Sequence, residues 1–233
     1  MQGSLERGER ILDTIRLFLF KPGAKRSIGR VGGIGNGVCG AWFGNEDSDT
    51  KFIARKLFDY QFVQEPLDVS LEDVRTIYND PVFKELHSAG CGNPNSDDVL
   101  LRRIFESLRS FRKSREMPTA EARFLELTKI AEHLAKRDKT ERLQGRSLRE
   151  RIARMAGKGR DAKTDFLGMT TDLWDNARNP LTHKVATFSD IGRDSALDIP
   201  KLEEIVIRMV QAVVIAWRNE QFGLDPYASL LEP

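Results

Sequence analysis

Apolar side chains return at every third or fourth position through the second half of this chain, and that period commits it to packed helices. Ala120, Phe124, Leu127, Ala131 and Leu134 define a helix over about 119–137 that packs along its whole length, with Glu132 beside the stripe. A carboxylate there is partly exposed or paired with a base. Phe166, Met169, Leu173, Ala177 and Leu181 give a second such face on a helix starting near 164. Pro200 is expected to start the last helix, running to about 220, whose Leu202, Ile205, Val206, Met209, Val210, Val213, Val214 and Trp217 cover a wide arc. A helix apolar over so much of its surface belongs at the centre of a bundle or in a dimer interface. Ser147-Leu148-Arg149-Glu150 has the form of a capping box opening a shorter helix to Ala156, closed by Gly157-Lys158-Gly159. Four helices, only the second of them short, suit a compact four-helical domain over 117–233.

Residues 1–116 predict a helical extension. A helix over 5–20 places Ile11, Ile15, Leu17 and Phe18 on its apolar side, and Lys21-Pro22-Gly23 stops it. Residues 29–44 are glycine-rich, and Gly35 to Gly40 fit the spacing G-x-G-x-x-G. A dinucleotide loop needs a helix next, and Ala41-Trp42-Phe43-Gly44 does not begin one, so a loop or short hairpin is expected. Residues 51–63 fit helix and strand equally. Short helices are expected at 70–78, from a capping box, and from Asp80-Pro81 to Gly90. A longer helix over 97–113 turns Val99, Leu100, Ile104, Leu108 and Phe111 inward, with Arg102, Arg103, Arg109, Arg112, Lys113 and Arg115 on a solvated face.

The net charge of +2 excludes a claim on nucleic acid from total charge alone. Cys39 and Cys91 stand in no paired motif, which suits a reducing compartment, and His87 with Cys91 is too small a set for a metal site. The first twenty residues are interrupted by Asp13, Thr14 and Arg16, unlike a signal peptide. The apolar run over 205–217 is too short for a bilayer and contains Arg208 and Gln211. A cytoplasmic protein is expected, with no membrane attachment.

The polar residues that stand out are Arg178, Asn179 and His183, in Arg178-Asn179-Pro180-Leu181-Thr182-His183. On a regular helix, a five-residue step puts Arg178 and His183 about 140° apart. Pro180 removes a backbone donor and crowds the preceding turn, so the helix is expected to kink or restart and gather the three on one surface. Taken by themselves these residues suit helix-end capping better than a site.

This stretch has the form of the R-x4-6-H signature, and in its place in the penultimate helix it resembles the HEPN superfamily, specifically its Apea-like branch. The succession also matches over about 119–220: a helix bearing Glu132, a basic helix over 147–156, the Arg-Asn helix, and an apolar last helix. Val185 stands where one toxin subset of that superfamily has a tyrosine, so a nucleotidyl-modified tyrosine is not implied. The resemblance implies an all-α, HEPN-like four-helix bundle, commonly dimeric, and for many members a metal-independent ribonuclease without cofactor, in prokaryotic antiviral defence or toxin systems. It implies Arg178 and His183 as the catalytic pair, Asn179 as an orienting residue and Glu132 as a weaker member. A sensor or antitoxin partner belongs to many such systems, and other members only bind RNA or proteins. Histidine titrates near neutral pH and can move protons, while the arginine fork matches two phosphate oxygens. RNA supplies its own nucleophile, the 2′-OH, and a homodimer would supply a second histidine. The most basic part of the chain, with Arg142, Arg146, Arg149, Arg154, Lys158 and Arg160, is expected to hold the RNA backbone.

Overall fold

A computed structural model describes residues 2–19, 38–41, 53–56, 71–91, 98–136, 140–157, 160–183 and 186–221. The helices are α1 (Gln2–Leu19), α2 (Leu71–Asn79), α3 (Pro81–Cys91), α4 (Val99–Ser114), α5 (Ala120–Ala135), α6 (Gly145–Ala156), α7 (Arg160–Leu173), α8 (Asn179–His183) and α9 (Ser195–Gln221). Strands β1 (Val38–Ala41) and β2 (Ile53–Lys56) pair antiparallel, with Val38 opposite Lys56 and Ala41 opposite Ile53. The class is all-α with this small ladder added. Val38–Ala41 is a strand within the glycine-rich stretch 29–44, in keeping with the hairpin alternative, and Ile53–Lys56 is a strand within the ambiguous segment. The rest of both stretches lies outside the described residues.

The helix α9 runs through the middle, with α4, α5, α6 and α7 packed around it. Its Leu202, Ile205, Val206, Met209, Val210 and Val213 are wholly enclosed. Phe124, Leu127, Ala131 and Leu134 meet it from α5, as their spacing requires, and one continuous core extends from there through α4 to Leu86 and Leu17. Each fully buried aliphatic side chain contributes roughly 1.5–3 kcal/mol.

Some helix starts depart from expectation. α9 starts at Ser195, ahead of Pro200, because Asp194 caps it: its side chain accepts from Ala196 N at 2.8 Å and its carbonyl from Leu197 and Asp198. α6 starts at Gly145 (φ 56°), so Ser147 lies inside the first turn and the expected capping box does not open the helix. Thr119 does cap α5, accepting from Ala122 N at 3.2 Å, and Asp80 caps α3. Val99 is exposed rather than inward.

Arg103, expected on the solvated face of its helix, is structural, and so is Arg151 of α6. Arg103 is buried and donates to the carbonyl of Lys136 at 2.6 Å. Arg151 donates to the carbonyl of Ala135 at 3.1 Å and pairs with Glu141 at 2.6 Å. Together they satisfy two carbonyls at the negative end of α5, those of Ala135 and the flanking Lys136.

The connection into α9 is fixed by one guanidinium. Arg193 donates to both oxygens of Asp172 on α7 (3.0 and 2.7 Å) and both of Asp198 on α9 (2.5 and 3.0 Å). The same connection is held at Phe188, whose ring packs edge-on against Phe124 at 5.4 Å and whose N–H donates to Glu121 at 3.0 Å. The hydrogen bonds from Arg193, then that from Asn176, hold the Asp172 carboxyl at about 2, below its ordinary 3.8. A carboxyl lowered on folding stabilises above its unfolded pKa and loses that contribution as pH falls through the folded value. The prediction is that stability declines between about pH 4 and pH 2, and that Asp172→Asn flattens this decline. Urea midpoints across that range check it; an identical pH profile in the variant would refute it.

Candidate functional site

The helical run does not break and restart at Pro180. α7 passes into one wide π-helical turn, Trp174–Arg178, and continues as α8. The N–H of Asn179 donates to the carbonyl of Trp174, a step of five residues. The cause is local. Pro180 has no N–H for the carbonyl of Asn176, and in a regular turn its ring presses on that carbonyl. A turn widened by one residue relieves the contact without breaking the helix.

The wide turn keeps Trp174 and Arg178 over Glu132 of α5. The buried indole of Trp174 donates from Nε1 to Glu132 Oε1 at 3.2 Å. Arg178 Nη2 reaches the same oxygen at 3.2 Å, and Nη1 donates to Asn179 Oδ1 at 3.1 Å. Arg178 and Glu132 are half-buried, 26% and 22% exposed, so the pair keeps a solvent-facing side. Arg149 of α6 pairs with Asp175 at 3.0 Å, tying the turn to a third helix. Asn176 donates to Asp172 at 2.8 Å, linking the turn to the Arg193 clamp.

Three of the expected site residues, Glu132, Arg178 and Asn179, are thus joined. His183 is not joined to them. It ends α8, is exposed, and makes no hydrogen bond or ion pair with the described residues. The wide turn ends at Arg178 and α8 returns to the ordinary α step, on which five residues put two side chains about 140° apart.

The basic residues divide. Arg142, Arg146 and Arg154 are exposed, Arg146 pairing with Glu150 at 2.7 Å one turn along. Arg149 is taken up by Asp175. Lys158 and the side chain of Arg160 lie outside the described residues. His87 packs beside Phe83, ring centroids 5.5 Å apart, and no group of three acidic, His or Cys residues suited to a metal occurs among the described residues. No helix among them is long and apolar enough to cross a membrane.

Trp174 is the member of the cluster that was not among the expected site residues. Its four-residue step to Arg178 was a usable signal, because such residues stack on one helix face. Asp172, Arg193 and Asp198 carried no such signal, being brought together across a loop.

The indole N–H and the guanidinium share one carboxylate oxygen, so its removal leaves a buried donor without an acceptor. Glu132→Ala is predicted to lower stability by about 1–3 kcal/mol. A urea titration measures this; an unchanged midpoint would show that the cluster does not hold α5 to the turn.

A scan against protein-family models finds no match for this chain, and comparisons with curated proteins and with solved structures find none either.

Proposed function

We propose that this protein is a metal-independent endoribonuclease of HEPN type, acting as a homodimer in a prokaryotic antiviral defence or toxin system. The observation that carries the reading is the meeting of Arg178, Asn179 and Glu132 on adjoining helices, with His183 open to solvent at the end of the same helical run. Glu132 and Asn179 each engage one terminal nitrogen of Arg178, which fixes the guanidinium plane. Its remaining N–H groups are disposed to bind phosphate oxygens and to steady the charge of a pentacovalent phosphorus.

One imidazole takes the proton of the RNA 2′-OH. The freed oxygen forms a bond to phosphorus, and the bond from phosphorus to the 5′ oxygen breaks. A protonated imidazole gives its proton to that oxygen. The products are a 2′,3′-cyclic phosphate and a 5′-hydroxyl. Each chain offers one His183, so base and acid come from two copies about a two-fold axis. The exposed Arg142, Arg146 and Arg154 contribute sequence-independent attraction to the RNA backbone.

A second reading has its own support: Arg178 is already engaged by a carboxylate, and His183 stands apart from it. Both fit a non-catalytic module that binds RNA or a protein partner, including a sensor or antitoxin. RNA cleavage in EDTA separates the two. The ribonuclease reading predicts that Arg178→Ala and His183→Ala each reduce cleavage at least about a hundredfold while the proteins remain folded. Undiminished cleavage in both would remove the assignment. Salt-sensitive RNA binding without cleavage, weakened by charge reversal at Arg142, Arg146 and Arg154, would establish the binding module instead.

A further inference from the structure

A groove of about 490 Å³ lies between α4 and α5, bordered by Glu106, Arg109 and Lys113 on one side and Glu126 and Lys129 on the other, with Ser107 at its wall. Its volume falls within the roughly 300–1,000 Å³ of small-ligand clefts. Two features set it apart from ordinary solvated helix surface. Ser107 is 2% exposed, and its hydroxyl has no hydrogen-bond partner among the described residues. A buried hydroxyl without a partner has given up its hydration for nothing, and it does not bond back to its own helix as serine commonly does. Arg109 and Lys113 are one turn apart on α4, both exposed, and neither forms an ion pair with the described residues. Like charges at this spacing repel. The helix dipole favours Lys113 in the last turn, yet Arg109 lies a turn earlier. A shared counter-ion answers the repulsion, and a fork beside a point charge suits the oxygens of a phosphate monoester.

The opposite sign is present too. Glu106 and Glu126 border the same groove, Glu126 also pairing with Lys129 at 3.3 Å. A polyanion threaded along the groove would meet both carboxylates. A single phosphate attached to a hydroxyl-rich body would not, because the carboxylates can accept from its hydroxyl or amino groups. We infer that the α4–α5 groove binds a sugar phosphate of nucleoside-monophosphate size, its phosphate held between Arg109 and Lys113. The lining of the groove includes none of Glu132, Arg178, Asn179 or His183.

Calorimetric titration of the full chain with adenosine 5′-monophosphate tests this, with ribose 5-phosphate as the arm that separates the sugar phosphate from the base. Saturable binding is expected, weakened at least about tenfold in the Arg109→Gln/Lys113→Gln double variant. Adenosine without its phosphate is expected to bind no more than weakly, and Arg178→Ala to leave the affinity unchanged. These surface substitutions lie outside the core, and thermal unfolding confirms that the variant is folded. Equal binding by the double variant, or no saturable binding of either phosphate ester, would overturn the inference. So would displacement of the monophosphate by a short single-stranded oligonucleotide of higher affinity, which would mark the groove as a polymer track.

Discussion

The enclosure of α9 is the condition on which the rest of the structure depends. A helix apolar on most of its circumference cannot lie on a surface, so other helices must surround it. α4, α5, α6 and α7 do so, each contributing one apolar stripe. Burial alone is non-directional and would tolerate sliding along the axis. Polar contacts remove that freedom. Trp217 donates to Asp98 at 2.6 Å near one end, and Asp98 also caps α4 through Leu101 N. Glu203 pairs with Arg115 and Arg123, at 3.5 and 2.5 Å, near the other. Gln211 donates to the carbonyl of Leu17 between them.

With α9 fixed, α5 has one side against it and another facing the turn that follows α7. Glu132 occupies that second side one residue from the buried Ala131, which places a carboxylate at the rim of the core. The wide turn at Trp174–Arg178 then brings an indole and a guanidinium to it. A helix interrupted by proline could have broken here. It persists because one added residue in the turn costs less than losing the packing of Leu173, Ala177 and Leu181, all buried on the same side.

Arginine serves two ends in this molecule, and sequence does not distinguish them. Arg103 and Arg151 close the end of α5, and Arg193 locks the α9 connection, so a basic residue in the sequence need not lie on a surface. Arg142, Arg146 and Arg154 remain on the outside. Charge counts along the chain treat all of these alike, whereas burial and the presence of an open carbonyl or carboxylate separate them.

The sequence by itself determined the helical class, narrowed the last helix to a bundle centre or a dimer interface, and set the approximate bounds of α4 and α5, because hydrophobic period is a local property that survives any arrangement of partners. It also marked Glu132, Arg178, Asn179 and His183 as worth following. Tertiary structure decided which of them meet. The clamp of Asp172, Arg193 and Asp198, the shared acceptor between Trp174 and Arg178, and the start of α9 at Ser195 all rest on groups distant in the chain or on competition between caps. A one-dimensional pattern records which face of a helix is apolar. Which polar group stands opposite, at what distance, and whether a proline bends a helix or widens it, follow only when neighbouring helices fix the geometry.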